Sequence, residues 1–332
     1  MKRIGILGAG AWGTALALVA RRAGLQVVLQ AHEPAVAAAI NDRRENPIFL
    51  PGFRLDTGIV ATTDPADLGA TEAVLLTVPA QYVRRVVKRL APALKPGTPA
   101  VICAKGIEAE SGSLMSEVVA ETAPQARLAV LSGPTFAAEV AREMPTAATL
   151  AAADTGFAKS LAAALGSARF RIYHSADVVG VQIGGAVKNV LAIACGIVAG
   201  RGFGDNARAA LITRGLAEIA RLALAKGGRL ETLMGLSGLG DVTLTCNALQ
   251  SRNYSVGVAL GKGEPLATIL AARPSIAEGV YTAASVTGLA GRLGVELPIC
   301  EAVDGILNRG ADIGATIEGL LARPFRAEVP GA

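Results

Sequence analysis

The feature that most constrains this chain is an apolar run of 23 residues, Val178–Gly200, which carries one charge near its middle. By length the run could cross a membrane as a helix. Lys188 at the centre of a bilayer would cost roughly 2.5–3.5 kcal/mol, and the glycines of the run would weaken the helix further. We therefore predict a core helix of a soluble enzyme and no integral membrane span.

One face of this predicted helix is polar. At helical spacing it combines Gln182, Gly185, Lys188 and Asn189. Small neighbours make the face narrow, so a ligand or another backbone could approach it closely. Burial lowers the pKa of a lysine and suits it to proton transfer. A buried lysine paired with a carboxylate for packing alone would show the same pattern, and this stretch does not separate the two.

A second constraint is a glycine motif at the start of the chain. Arg3–Leu7 is typical of a buried strand, G-x-G-x-x-G follows at once, and residues 14–23 continue as an alanine-rich helix. The three glycines permit a tight turn, close approach of a pyrophosphate, and close packing of helix on strand. The helix N-terminus offers N–H groups to phosphates. In this context the motif predicts a dinucleotide-binding site formed by Gly8, Gly10, Ala11, Trp12 and Gly13.

The second predicted strand, residues 27–30, ends at the position that commonly selects between NAD and NADP. An acidic residue there binds the adenosine ribose of NAD, and a basic residue binds the extra phosphate of NADP. Here Ala31 is followed by both His32 and Glu33. We therefore predict NAD or NADP as the cofactor without a preference.

Strand and helix patterns alternate through the first half of the chain. Further strands are predicted at residues 74–78, 100–104, 128–131, 147–150 and 170–173. This alternation indicates an α/β fold with a Rossmann-like, doubly wound and mostly parallel sheet. After Tyr173 only helical patterns follow, so an all-helical region is predicted. We place the domain boundary after residue 177, with a cofactor domain at 1–177 and a helical substrate-binding, catalytic domain at 178–332.

Polar loops supply the candidate substrate contacts. Lys105 directly follows a predicted strand, where it could meet a phosphate or a reacting hydroxyl, or be a surface lysine. Asp241 ends a glycine-rich turn in the helical half. Ser251, Arg252 and Asn253 open the next helix and combine a hydroxyl, a guanidinium and an amide with free N–H groups. That combination suits a phosphate, although an ordinary serine cap with a surface arginine fits equally.

Composition narrows the class of protein. The formal net charge is +5, and the densest basic cluster, Arg84 to Arg89, is typical of a solvated helix face rather than a nucleic-acid surface. The four cysteines are far apart and form no C-x-x-C, which indicates reduced core thiols and a cytoplasmic location. With two histidines and no zinc-protease, serine-hydrolase or P-loop motif, lysine is the candidate for proton transfer and no metal site is predicted.

Several long motifs resemble those of the bacterial-type NAD(P)-dependent sn-glycerol-3-phosphate dehydrogenases, in the same order and over nearly the whole chain. They are GAGAWGTALA at 8–17, AKGIE at 104–108, SGPTFAAE at 132–139, GGAVKNVLAI at 184–193, ALITRGLAEI at 210–219, SGLGDVTLTC at 237–246, QSRN at 250–253 and AEG at 277–279. The resemblance implies hydride exchange between a nicotinamide and C2 of glycerol 3-phosphate, giving dihydroxyacetone phosphate. It also implies a role in phospholipid synthesis, and we expect a homodimer.

The resemblance assigns roles residue by residue. Lys188 matches the proton acceptor, and Lys105 and Asp241 complete the catalytic set. The substrate-contacting positions are Lys105, Gly133, Thr135, Lys188, Asp241, Ser251, Arg252 and Asn253. Trp12 in the glycine motif matches a cofactor position, and beyond the motif the cofactor positions are His32, Lys105, Ala137, Arg252, Ile276 and Glu278. Trp12, Ala277 and Tyr281 depart from the residues usual in this family, which bears on cofactor affinity and on the choice between NAD and NADP.

Two other functions are weighed against this one. A 2-hydroxyacid or ketopantoate-type reductase of the same superfamily also pairs such a sheet domain with a helical one and a catalytic lysine. Its carboxylate substrate needs no additional phosphate site of the kind predicted at Ser251–Asn253. A non-catalytic redox sensor would carry a DNA-binding arm, and the chain shows no such arm, so no nucleic-acid partner is predicted.

Overall fold

Eight strands form one sheet in the N-terminal half of the protein, which we describe from a computed structural model for residues 1–272, 277–325 and 327. The strands are β1 (Arg3–Leu7), β2 (Gln26–Gln30), β3 (Ile59–Thr62), β4 (Val74–Leu76), β5 (Pro99–Ile102), β6 (Arg127–Ser132), β7 (Thr146–Ala151) and β8 (Phe170–Ser175). Their spatial order is β3-β2-β1-β4-β5-β6-β7-β8. Only the β6–β7 pair is antiparallel. The predicted mostly parallel, doubly wound sheet is confirmed.

Helices cover both faces of this sheet. They are α1 (Ala11–Arg22), α2 (Pro34–Arg43), α3 (Val83–Leu90), α4 (Met115–Thr122), α5 (Ala137–Ala141) and α6 (Thr155–Leu165). Short 3-10 turns lie at Pro65–Ala70, Ala80–Tyr82 and Ala91–Ala93. One apolar core lies between the sheet and α1, α2 and α6, and a second lies beneath α3 and α4. Because β1, β4, β5 and β6 are parallel, their carboxyl ends lie at one edge of the sheet, where ligands of such sheets bind.

The C-terminal half is helical throughout its described residues. Its elements are α7 (Val178–Gly200), α8 (Gly204–Ala225), α9 (Leu230–Leu233), a π-helical turn (Leu236–Gly240), α10 (Asp241–Asn247), α11 (Arg252–Gly261), α12 (Leu266–Ala271), α13 (Glu278–Leu293), α14 (Pro298–Asn308) and α15 (Ile313–Leu321). Every residue of α7 from Gly180 to Ile197 is buried. In the most apolar stretch of 18 residues within this helix, 83% is buried inside the protein. The predicted core helix is confirmed.

Helix α11 crosses α7 with the two backbones in contact. A Cβ atom on Gly196 would lie 2.1 Å from the Tyr254 carbonyl oxygen, and one on Gly257 would lie 2.1 Å from the Ile193 carbonyl oxygen. The same contact recurs one turn later at Gly200 and Gly261. Only glycine fits at these crossings. The glycines of the apolar run therefore bring the N-terminus of α11 close to the polar face of α7.

Three elements have weak local sequence patterns, each for a physical reason. Strand β3 has four residues and lies at an edge of the sheet, where alternate side chains are exposed. Helix α10 follows directly on the glycine-rich π-helical turn, so no loop pattern in the sequence marks its first residue. Helix α15 has no fully buried residue and so a weak apolar pattern.

The four cysteines are free and buried, as predicted. Burial raises the pKa of Cys103 to about 12, so this thiol stays protonated.

Candidate active site

Three charged residues from distant parts of the chain form a continuous hydrogen-bonded chain. Asp241 is fully buried, and its two carboxylate oxygens each accept from a different lysine. Lys188 Nζ donates to Asp241 Oδ1 at 2.5 Å, and Lys105 Nζ donates to Asp241 Oδ2 at 2.8 Å. Lys188 Nζ also donates to Thr245 Oγ1 at 2.8 Å. The structure thus brings together the three residues that the family resemblance assigns to catalysis.

The π-helical turn packs closely against α7, and this packing explains why the Asp241 side chain reaches Lys188. A Cβ atom on Gly184 would lie 2.3 Å from the Ser237 carbonyl oxygen, and one on Gly238 would lie 2.1 Å from the Leu233 carbonyl oxygen. Glycine at both positions lets the turn pack directly against α7 and α9. The turn ends at Gly240, so Asp241 and Thr245 occupy successive turns of α10 on the side that faces α7.

The electrostatics of Lys188 suit proton transfer. Burial lowers the pKa of Lys188 to about 8; the Asp241 carboxylate opposes this fall, and the positive charge of Lys105 adds to it. A lysine with such a pKa holds an appreciable neutral fraction near neutral pH, whereas an exposed lysine remains charged. The side chain can therefore accept a proton and return it within the same pH range.

Lys105 and the loop after β6 form the sheet side of the site. Lys105 is largely buried, and its Nζ also donates to the Gly133 carbonyl oxygen at 2.9 Å. Gly133 has φ +145°, and a Cβ there would lie 3.0 Å from the Ala148 Cα atom, so glycine is required. Thr135 Oγ1 donates to the same Gly133 carbonyl at 3.2 Å. Lys105 therefore points into the protein and is not a surface lysine.

The N-terminus of α11 faces this cluster. Ser251 caps the helix by accepting from the Tyr254 N–H, as an ordinary serine cap does. Asn253 is buried; its Nδ2 donates to Asn189 Oδ1 at 2.9 Å, and its Oδ1 accepts from the Gly279 N–H at 2.9 Å. Both side chains thus hold the backbone in place. Arg252 is exposed at the first turn, next to the helix N–H groups.

Glu278 begins α13 and reaches across to the sheet half of the protein. Its Oε1 accepts from the Ala80 N–H at 3.1 Å, in the turn after β4. Burial raises the pKa of Glu278, while the Ala80 N–H and the charges of Arg252, Lys105 and Lys188 oppose the rise. Glu278 thus lies within reach of positive charges from both halves of the chain. Glu278 therefore joins the cofactor edge of the sheet to the lysine cluster.

The glycine loop after β1 has the shape of a phosphate cradle. Gly8 has φ +112°, and a Cβ atom on Gly13 would lie 1.9 Å from the Gly8 carbonyl oxygen. Around Gly10 there is open space, with no atom within 4 Å of where its Cβ would be. Helix α1 begins there with Ala11 and Trp12 and without an acidic residue in its first turn. An open glycine at an unblocked helix N-terminus fits the pyrophosphate of a dinucleotide.

The remaining predicted cofactor residues lie around this loop or outside it. The Trp12 ring packs on Phe170 with centroids 6.4 Å apart. His32 is exposed just after β2, and Glu33 stands at the N-cap position of α2 without capping it. Ala137 is the first residue of α5. Ile276 lies outside the described residues.

Two residues of the site were not predicted from sequence. Thr245, four residues after Asp241, contacts Lys188, and the i,i+4 spacing that places both on one face of a helix is the signal that could have indicated it. Thr77 Oγ1 donates to the carbonyl oxygens of Leu7 and Gly8 at 2.9 and 2.8 Å and so holds the start of the glycine loop. The end of the fourth strand places Thr77 at the ligand-binding edge of the sheet, but its contact with Leu7 and Gly8 was not predicted because these partners are distant in sequence.

Comparisons with known proteins agree with this geometry. Residues 3–158 match the family model described as NAD-dependent glycerol-3-phosphate dehydrogenase N-terminus, and residues 177–318 match the C-terminus model of that family. The chain is 58% identical to the NAD(P)+ glycerol-3-phosphate dehydrogenase of Rhodospirillum rubrum, over 98% of this chain and 93% of that protein. The crystal structure of the Coxiella burnetii glycerol-3-phosphate dehydrogenase superposes with a TM-score of 0.93 at 40% identity, covering 97% and 99% of the two chains. A ketopantoate reductase from Ralstonia eutropha has a TM-score of 0.61 at 16% identity over 92% and 97% of the two chains, a likeness of fold alone.

Proposed function

The chain belongs to the NAD-dependent glycerol-3-phosphate dehydrogenase family, and from that premise we propose that it interconverts sn-glycerol 3-phosphate and dihydroxyacetone phosphate. NAD or NADP is the redox cofactor. The observation that carries this proposal is the buried Lys188–Asp241–Lys105 chain, which lies between the carboxyl edge of the sheet and the N-terminus of α11. The reaction needs three parts: a lysine that transfers a proton, a sheet edge that binds the dinucleotide, and a helix N-terminus that binds the substrate phosphate.

Oxidation of the C2 alcohol removes a hydride from carbon and a proton from oxygen. When bound, the nicotinamide accepts that hydride or returns it. Lys188 in its neutral form takes the hydroxyl proton, and in the reverse direction its ammonium group protonates the carbonyl oxygen. Asp241 and Thr245 hold the Lys188 Nζ in one position. The positive charge of Lys105, and that of Lys188 once it holds the proton, stabilises the negative charge that develops on the C2 oxygen.

The substrate phosphate is assigned to the first turn of α11. Arg252 supplies a guanidinium for charge-assisted hydrogen bonds, and the helix N-terminus favours an anion. Ser251 and Asn253 keep this turn in place through their backbone contacts. Gly133 and Thr135, at the end of β6, are assigned to the remainder of the substrate.

The glycine loop residues Gly8 to Gly13 are assigned to the pyrophosphate. His32, Ala137 and Glu278 are assigned to other parts of the cofactor, as is Arg252. We further propose that 1–177 and 178–332 act as the cofactor and substrate domains, and that the enzyme is a cytoplasmic homodimer. Its product glycerol 3-phosphate would supply phospholipid synthesis.

Initial rates test this function directly. The enzyme should oxidise NADH or NADPH with dihydroxyacetone phosphate and reduce NAD or NADP with glycerol 3-phosphate. Ketopantoate and a simple 2-keto acid are the comparison substrates. Preference for a keto acid over dihydroxyacetone phosphate would instead favour the related reductases, and cofactor binding without turnover of any of these substrates would favour a sensor.

A further inference from the structure

A fully buried asparagine outside the glycine motif is hydrogen-bonded to the glycine loop. Asn46 lies between α2 and β3, and its Nδ2 donates to the Ala9 carbonyl oxygen and to Thr14 Oγ1, both at 2.8 Å. Its Oδ1 accepts from the Phe49 N–H at 3.1 Å. Because the Ala9 carbonyl can only accept, the amide nitrogen must face the loop. Three groups thus fix the orientation of this side chain.

The contact helps to fix the direction of one peptide unit, since Asn46 is the nearer of two donors to the Ala9 carbonyl; Thr14 Oγ1 donates to the same oxygen at 3.4 Å. In a trans peptide the C=O and N–H bonds point in opposite directions. With the Ala9 carbonyl held inward by Asn46, the N–H of Gly10 points the opposite way, into the space on the side of the loop away from Asn46. If the Ala9–Gly10 peptide rotated by about 180°, the Ala9 carbonyl oxygen would take the place of the Gly10 N–H. Glycine at position 10 has the backbone freedom that permits such a rotation. A carbonyl oxygen there would repel a phosphate.

The neighbouring peptide is held by a different residue. Thr77 Oγ1 donates to the Gly8 carbonyl, so Thr77 and Asn46 hold consecutive carbonyls of the loop. We propose that Asn46 is a positioning residue for the cofactor, which keeps the Ala9–Gly10 peptide with its N–H turned toward the diphosphate. A donor that is oriented before binding costs no reorganisation when the anion arrives. This inference rests on the proposed NAD(P)-dependent function.

The test uses the full-length enzyme and a binding measurement that needs no turnover. Trp12, the only tryptophan, lies in the first turn of α1 directly after Gly10, so its fluorescence during NADH titration reports cofactor occupancy. Asn46→Ala should raise the Kd for NADH roughly 2- to 12-fold, the range of one hydrogen bond. Asn46→Asp keeps the Phe49 contact and the side-chain shape but replaces the donor with a carboxylate, so its Kd should rise at least as much. For both variants the KM for NADH should rise more than the KM for dihydroxyacetone phosphate.

Asn41→Ala is the matched control. Asn41 joins α2 to β3 by two hydrogen bonds with the Ala61 backbone, at 3.0 and 2.8 Å. Neither bond involves the glycine loop. This variant should lower the Tm and leave the Kd for NADH unchanged. An unchanged Kd in Asn46→Asp, or equal rises in Asn41→Ala and Asn46→Ala, would overturn the proposal. Failure of the wild-type enzyme to bind NADH would instead contradict the proposed function.

Discussion

At the scale of single residues, the proposed chemistry centres on the two lysines that share one buried carboxylate. Lys188→Met keeps the apolar stem within the core and deletes the group that moves the proton. We expect the variant to fold and bind cofactor, and to lose roughly 10²–10⁴ in kcat. Turnover, Tm and NADH titration of Trp12 fluorescence check this expectation. Near-normal kcat would remove Lys188 from the reaction, whereas a collapsed Tm would indicate a structural role.

The pKa of Lys188, lowered to about 8, predicts opposite pH profiles for the two directions. Oxidation needs the neutral amine, so its kcat should rise as pH increases through about 8, and reduction should fall over the same interval. Asp241→Asn removes the charge that opposes the lowered pKa, so both limbs should move to lower pH.

Thr245→Val is the control for that shift, because it removes a hydrogen bond to Lys188 but no charge. Its profile should move less than that of Asp241→Asn. Rates in both directions from about pH 6 to pH 10 make the comparison. Identical profiles for wild type and Asp241→Asn would show that another group titrates.

Arg252 is the residue assigned to the substrate phosphate. Arg252→Ala should raise the KM for dihydroxyacetone phosphate by roughly 10- to 150-fold, the effect of losing about 1.5–3 kcal/mol of charged hydrogen bonding. Unphosphorylated dihydroxyacetone should be affected far less. Because Arg252 is also assigned to the cofactor, the KM for NADH is measured alongside. An increase confined to NADH would move the phosphate site elsewhere.

At the scale of secondary-structure elements, the glycine contacts between α7 and α11 set the position of the turn to which we assign the substrate phosphate. Gly257→Ala would place a Cβ 2.1 Å from the Ile193 carbonyl oxygen. We expect destabilisation by about 1–3 kcal/mol from overpacking, together with a higher KM for the phosphorylated substrate as α11 moves outward.

The matched substitution is Gly288→Ala on α13, where no atom lies within 4 Å of the new Cβ. Alanine there should stabilise the protein by about 0.5–1 kcal/mol, because it restricts the unfolded chain and favours the helix. Urea unfolding of both variants separates crowding at the crossing from general helix propensity. Equal effects of the two substitutions on the free energy of unfolding would mean that the α7–α11 contact can accommodate an added Cβ atom.

At the scale of the whole molecule, the site exists only where the helical half meets the sheet. Glu278 makes one of these connections through the Ala80 N–H. Glu278→Ala should lower stability by about 1–3 kcal/mol and raise the KM of both cofactor and substrate, because the two halves lose a shared hydrogen bond. Glu278→Gln retains an acceptor and should keep most of the stability. If Glu278→Gln unfolds as easily as Glu278→Ala, the charge rather than the hydrogen bond is what matters.

The sequence alone determined those features that depend on neighbouring residues. The glycine loop, the mostly parallel sheet and the core helix α7 were all predicted, because backbone freedom at glycine and apolar periodicity are local properties. The opening of α11 by Ser251 was predicted for the same reason. Short or edge elements such as β3 were not, since they carry too little local pattern.

Only the tertiary structure decided which polar residues meet. Asp241 lies 53 residues from Lys188 and 136 from Lys105, and no spacing rule connects them. The inward direction of Lys105 and the hydrogen bond from Asn46 to Ala9 are likewise contacts between segments that pack together only in the fold. Burial then lowered the pKa of Lys188 to about 8. These properties arise from long-range packing, and a pattern of neighbouring residues does not encode them.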